Sequence, residues 1–325
     1  MLAAYDAQGA GTTVRGLLEL APIKPASPNG NLAASDVLAG VRALDTSKLR
    51  AAGVPLVATF DYDDTLAHGD VFIPAMTALA ARKQFDPAGD AALRAALAKS
   101  NVPAELIERG DVNDRAALLA KLIVPAGAPV PVPGATPIAI PDAFFAFGAG
   151  MRGMDAASAT RTMADVFANG APEAGIAPLR TELFDGPAAA DSAREMVDAV
   201  RDAGMDPWIV SWGYDFIAKV AAPYAGVKPE RVLGSEMAVG ADGKFTGMRT
   251  EQSTPKSLMI RDAIGVPPVV AFGNSSSDLP MLDATAGPTF LVRPEAQPRP
   301  LTDAVKQRAG RTYGMDYELP SQRTS

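Results

Sequence analysis

The chain has 325 residues, a net charge of −7, no cysteine and one histidine, His68. Without cysteine there is no disulfide, thiolate metal site or cysteine nucleophile, and one histidine makes multi-histidine zinc sites and most Ser-His-Asp schemes hard to build. The acidic balance and the lack of Lys/Arg clusters argue against nucleic acid and anionic membranes as partners.

No apolar run reaches transmembrane length and no secretion signal is visible, so the expectation is a soluble protein, cytoplasmic by default. A processed exported product would look the same. The length allows one large domain with an insertion, or two domains. It does not set an oligomeric state.

Residues 1–35, rich in Ala, Gly, Pro and Asn, read as an extension with an apolar patch at 14–20. Helical spacing of Val37, Leu38, Val41, Leu44 and Leu49 predicts a helix over 35–52, with Ser35 as N-cap and Gly53 as stop. The run VPLVATF at 54–60 reads as a buried parallel strand and ends in Asp61-Tyr62-Asp63-Asp64-Thr65. Alanine- and leucine-rich segments predict helices at 72–83, 88–99 and 114–124, and another follows at about 155–169. The proline-rich stretch 125–141 excludes an internal helix or central strand and reads as a surface arm or a functional loop.

Strands and helices then alternate. Helices are predicted at 187–203, 214–222, 255–264 and 279–284, and strands at 207–211, 231–237, 268–273 and 289–292. ADGKFTG at 241–247 suggests a hairpin, and a short helix is predicted at 301–308. Such alternation implies a parallel sheet with helices on both faces.

Four polar clusters stand where strands end or helices begin. Asp61 and Asp63 are two apart, so an extended backbone points both carboxylates the same way. Like charges so placed repel unless a cation or a reaction needs them, although a solvated acidic turn has the same composition. Ser211, followed by Trp212-Gly213, ends a strand where free amides can cradle a phosphate; a plain serine turn is the ordinary alternative.

Lys256 falls in the first turn of a helix begun by Thr254 and Pro255. Lysine opposes the dipole there, which suggests an anion to bind or simply a solvated side chain. The run FGNSSSDLPML at 272–282 sets Gly273-Asn274 four residues ahead of Asp278, where a simple helix cap explains one residue but not the whole run.

In order, Asp-x-Asp-x-Thr, Ser, Lys and Gly-Asn-x-x-x-Asp resemble the haloacid dehalogenase superfamily, over roughly 53–71 and 181–292. The doubled Asp, VSWGYDF at 210–216 and the hairpin-like 241–247 look most like its phosphoserine phosphatase branch. The resemblance implies a Rossmann-like three-layer α/β/α core with a parallel sheet and an inserted, mostly helical cap. The division that follows is an extension and helix at 1–52, a core at 53–71 with 181–325, and a cap at 72–180.

It also implies a phosphatase for a small organic phosphomonoester, with Asp61 as nucleophile, Asp63 as acid–base and Thr65 orienting the loop. Ser211, Trp212 and Gly213 would hold the phosphoryl group and Lys256 would neutralise it. Mg²⁺ would be held by Asp61, the Asp63 carbonyl, Asn274 and Asp278. Asp70 falls where relatives carry an acidic residue facing substrate amines, with Tyr62, Trp212 and Tyr214 as aromatic walls or as ordinary packing.

Asn274 departs from the usual Gly-Asp, which implies weaker metal binding, or Asp278 contributing more directly. A phosphotransferase, or a catalytically silent binding protein on this fold, would share the pattern.

Overall fold

The computed structural model describes residues 31–124, 127–185, 190–249, 254–293 and 301–316. Its strands are β1 (Leu32–Ala33), β2 (Val57–Phe60), β3 (Asp206–Tyr214), β4 (Val232–Ser235), β5 (Met237–Val239), β6 (Phe245–Met248), β7 (Val270–Gly273), β8 (Thr289–Val292) and β9 (Thr312–Asp316). Seven of them form one sheet in the order β1-β9-β8-β7-β2-β3-β4, every pair parallel.

Every residue of β2, β7 and β8 is buried, as expected of strands covered on both faces. The period of two sends Ile209, Phe272 and Phe290 into one apolar cluster and Val210, Ala271 and Leu291 into another on the opposite face.

Helices α1 (Ala34–Arg42) and α2 (Ser47–Ala51) precede β2. Between β2 and β3 come α3 (Phe72–Ala81), α4 (Asp90–Lys99), α5 (Ala104–Ile107), α6 (Val112–Ala120), α7 (Ile140–Gly150), α8 (Ala156–Asn169) and α9 (Ala190–Asp202). The rest are α10 (Asp215–Ala221), α11 (Lys256–Ala263), α12 (Leu279–Ala284) and α13 (Thr302–Gln307). α1 and α9 pack together on one side of the sheet, while Ile260 of α11 and Met281 and Leu282 of α12 cover the other. The fold is therefore a three-layer α/β/α sandwich.

From β2 the chain steps to β3 and β4 on one side, then returns to β7, β8 and β9 on the other. The reversal lies beside β2, and the crevice at the carboxyl ends of strands flanking such a point is where open α/β sheets bind ligands.

Helices α3 to α8 form an inserted body whose buried Leu93, Leu119, Phe147 and Met163 join the same apolar cluster as the sheet. The hairpin β5–β6 grips it through backbone bonds, Gly153 N to Phe245 O at 2.8 Å and Phe245 N to Met154 O at 2.9 Å. Among the described residues no helix is long and apolar enough to cross a membrane.

Several details differ from the sequence expectation. The helix over 35–52 is two, because Asp45 takes the Ser47 amide at 3.0 Å and the Thr46 hydroxyl reaches Ala203 O at 3.2 Å, pinning a turn between them. Its N-cap is Ala33, without a side-chain cap, and the N-cap of α11 is Pro255 rather than Thr254. Helix α7 was hidden by Pro141, Gly148 and Gly150; proline is tolerated in the first turn, and Gly150 is needed because a Cβ there would lie 2.6 Å from Leu93.

Strand β9 extends the sheet where the sequence suggested only a short helix, and β1 pairs with it from within the supposed extension. The apolar patch at 14–20 lies outside the described residues.

Candidate active site

The site is assembled from the carboxyl ends of β2, β3 and β7 and the first turn of α11. After β2 the chain turns sharply: the amides of Thr65, Leu66 and Ala67 all donate to Tyr62 O, at 3.3, 3.0 and 2.9 Å. Asp64 adopts φ 54°, a left-handed conformation that Asp accepts more readily than most residues. Its carboxylate receives the Gly69 amide at 3.1 Å and closes the loop, so Asp64 has a structural job distinct from its neighbours.

Asp61 is buried at 7% exposure. Its Oδ1 accepts a short hydrogen bond from Lys256 Nζ, Oδ2 takes a long contact from Thr65 Oγ1 at 3.4 Å, and the Tyr62 backbone amide also bears on the carboxylate. The two oxygens are therefore held unequally, Oδ1 by the ammonium and Oδ2 more loosely. Lys256 is 1% exposed, and its ammonium also donates to Asp278 Oδ1 at 2.6 Å. The opposition of Lys256 to the helix dipole is thus compensated by two carboxylates.

The other oxygen of Asp278, Oδ2, accepts from Asn274 N at 2.9 Å, Ser275 N at 2.8 Å and Ser275 Oγ at 3.1 Å. Asp278 thereby ties Lys256 to the turn after β7. Gly273 is required there, since a Cβ would lie 2.6 Å from that of Asp278.

The electrostatics follow from this packing. Burial, reinforced by Asp278 and opposed by Lys256, raises the Asp61 carboxyl to about 6. Burial alone would push the Lys256 ammonium down, but Asp278 and Asp61 together hold it above its ordinary value. Asp63 is pushed well above the usual carboxylate range by burial and then by Asp70 and Asp61, with the Val71 amide at 3.1 Å opposing. A carboxyl that keeps its proton beside one that loses it more easily is an acid–base pair set apart by environment.

On β3, Val210 and Tyr214 pair with β4 while the register shifts between them, which lifts 211–213 out of the ladder. Ser211 is 1% exposed and its Oγ accepts the Gly213 amide at 2.9 Å, so that amide is already engaged and the serine hydroxyl proton is the donor left over. Trp212 is anchored on both sides, its indole N–H to Thr254 O at 3.0 Å and its carbonyl to Ser235 Oγ at 2.7 Å.

Asp70 Oδ1 accepts the Phe72 amide at 2.5 Å, at the start of α3; burial raises its carboxyl while the Phe72 and Ile73 amides oppose. Tyr62 is buried, tilts against Phe184 at 6.1 Å and lines a small space together with Asp63, Ser211 and Tyr214. The structure therefore brings Asp61, Lys256, Asp278 and Thr65 into direct contact and sets Asp63 and Ser211 at the ends of adjacent strands. Sequence reasoning missed the amide of Val71 on Asp63; its only signal was the short spacing from the acidic turn to the first inserted helix.

Among the described residues no three His, Asp or Glu side chains form a metal cage. The donors at hand are oxygens: Asp61 Oδ2, the backbone of Asp63, and Asn274, whose side chain is buried at 6% exposure without a hydrogen bond among the described residues. Mg²⁺ fits such a set, since it takes one or two carboxylates and keeps waters and substrate phosphate as its other ligands.

The haloacid dehalogenase-like hydrolase family profile matches residues 113–283, a span that holds Ser211, Lys256, Asn274 and Asp278. The phosphoserine phosphatase of Halobacterium salinarum is 33% identical over 153 residues, 45% of this chain and 69% of that protein. A conserved protein of unknown function from Anaerococcus prevotii has the same fold, with a TM-score of 0.51 and 16% identity over 80% of this chain and 85% of that one. The chain belongs to the haloacid dehalogenase-like hydrolase family, as a phosphatase of its phosphoserine phosphatase-like branch.

Proposed function

We propose that the protein is a Mg²⁺-dependent hydrolase of a small organic phosphomonoester that works through a phosphorylated Asp61. The observation that carries this reading is the asymmetry of Asp61: Lys256 holds Oδ1 by a short charged bond, while the Thr65 hydroxyl reaches Oδ2 only at 3.4 Å. In the first half-reaction Asp61 attacks phosphorus, the P–O bond to the alcohol breaks, and Asp63 gives that oxygen its proton. In the second, Asp63 takes a proton from water, the new P–O bond forms, and phosphate leaves with Asp61 restored.

The Ser211 hydroxyl and the Trp212 amide hold phosphoryl oxygens, with the Gly213 amide engaged by Ser211 Oγ, and Lys256 offsets charge on them and on Asp61. Bound Mg²⁺ would supply further charge neutralisation, held by Asp61, the Asp63 carbonyl and Asn274. The oxygens of Asp278 are engaged by Lys256 and the turn, so its part is to anchor these groups rather than to ligate. The inserted helices act as a cap over the strand ends.

The name of the Halobacterium relative and the position of Asp70 make phosphoserine the first substrate to test. The test is phosphate release from phosphoserine and from p-nitrophenyl phosphate, with Mg²⁺ and with chelator. Release that needs Mg²⁺ and vanishes in Asp61→Asn is expected. No release from either ester, or full release by Asp61→Asn, refutes the reading.

Phosphoryl transfer to added alcohols in place of free phosphate would make it a phosphotransferase on the same scaffold. Asn274, which lacks the charge of the usual Asp, is the one feature that favours a silent binding protein.

A further inference from the structure

Tyr214 stands three residues beyond Ser211, at the end of β3, and is 1% exposed. Its hydroxyl donates to the backbone carbonyl of Phe144 at 2.5 Å, in the middle of the inserted helix α7. The Gly148 amide lies beside the same oxygen, so the hydroxyl sits between two consecutive turns of that helix. A Cβ on residue 148 would come within 3.2 Å of Tyr214 Oη and 2.7 Å of Met248 Sδ, so any larger residue would force one or both side chains to shift. The ring stacks on Phe144 with centroids 4.0 Å apart, and Phe72 meets both rings, at 5.4 Å from Phe144 and 6.0 Å from Tyr214.

Phe72 is the neighbour of Val71, whose amide holds Asp63. The clasp therefore joins the phosphate-binding turn, the inserted helix and the hinge residue that steadies the general acid. Beside Asp63 and Ser211, Val71, Phe72, Tyr214 and Ile217 wall a space of about 20 Å³. That is room for roughly one water-sized group. A larger group on this side of the phosphorus needs the Phe72 and Tyr214 rings to shift, and Phe144 of α7 is packed against both.

We propose that Tyr214 is a positioning residue whose hydroxyl latches α7 to the strand end and thereby restricts this enzyme to phosphomonoesters of small alcohols. The inference rests on the phosphomonoesterase reading above for its substrate half only. The latch itself is a statement about the fold.

The test uses the full chain as wild type, Tyr214→Phe and Gly148→Ala. Tyr214→Phe keeps the ring stack and removes only the hydroxyl; Gly148→Ala leaves the tyrosine in the sequence and crowds its hydroxyl and Met248 with a methyl group. Hydrogen–deuterium exchange should show opening of the α7 amides rising about 3- to 10-fold in both variants, the scale of one lost buried hydrogen bond. The ratio of kcat/KM for 1-naphthyl phosphate to that for ethyl phosphate should rise by a similar factor over wild type, a comparison in which intrinsic leaving-group reactivity cancels.

Unchanged exchange in α7 overturns the latch. Loosened α7 with an unchanged size ratio overturns the specificity role. Wild-type protein that hydrolyses neither ester refutes the phosphatase reading and the specificity role with it, while exchange still judges the latch.

Discussion

Asp61→Asn is expected to abolish turnover and at the same time stabilise the metal-free protein. Two carboxylates and one ammonium share the buried cluster of Asp61, Asp278 and Lys256, which leaves an excess negative charge. The Asp61 carboxyl is raised to about 6 from an ordinary 3.8, so the folded state disfavours its charged form. An elevation of roughly two pH units corresponds to about 3 kcal/mol at neutral pH, an upper figure because the surroundings relax.

Asparagine keeps an oxygen to accept from Lys256 and carries no charge, so most of that penalty should disappear. The sign in pH follows. Below about pH 4 the carboxyl is protonated in folded and unfolded chains alike and the two proteins should be equally stable. Between pH 4 and 6 only the unfolded chain has lost the proton, so wild-type stability falls with rising pH relative to the variant. Above pH 6 the gap is constant.

Urea unfolding in chelator at pH 4, 5, 6 and 8 reads the gap directly, and at pH 8 thermal unfolding should rise by roughly 5 °C. An asparagine variant no more stable than wild type at pH 8, or a gap indifferent to pH, refutes this account of the cluster.

Asp278→Asn should do the opposite and destabilise by about 3 kcal/mol in the same urea assay, because either amide orientation sets an NH₂ group against the Lys256 ammonium or against the amides of Asn274 and Ser275. Asn274→Asp, which restores a charged oxygen, should lower the Mg²⁺ concentration for half-maximal activity about ten-fold, read by metal titration of phosphate release.

Asp90→Asn should cost about 2 kcal/mol at pH 7, since it strips the short ion pair from Arg115, which is only 6% exposed. Although burial works against it, Arg115 and Arg94 hold the Asp90 carboxyl below its ordinary value. That contribution is present above pH 4 and lost as pH falls through the depressed value, so urea midpoints of variant and wild type should converge in acid.

The candidate site residues were legible because each stands at an element boundary that short-range rules locate. An apolar run into Asp61 and Asp63, a strand into Ser211, a helix start at Lys256 and a glycine turn at Gly273 all read directly from sequence. Pairing was not legible. That Lys256 bridges Asp61 and Asp278, 195 and 22 residues away, depends on which strands the sheet places side by side.

The same holds for β9, whose five residues carry little pattern of their own and become a strand by joining β8. Asp70 shows the limit from the other side: its position matched a substrate-facing acid, and the sequence did not show that one of its oxygens, Oδ1, also accepts the amide at the start of α3. Tyr214 read from sequence as an aromatic wall or packing residue and not as a latch, because its hydroxyl acts on a helix that the sequence concealed behind Pro141 and two glycines.

The central claim is that Asp61 carries the phosphoryl group. Protein mixed with phosphomonoester and Mg²⁺, quenched in acid within the first turnover and digested, should show one added phosphoryl mass on the peptide bearing Asp61. That mass should be absent in Asp61→Asn. A phosphoryl group on any other peptide, or turnover with no phosphorylated peptide at any quench time, contradicts it.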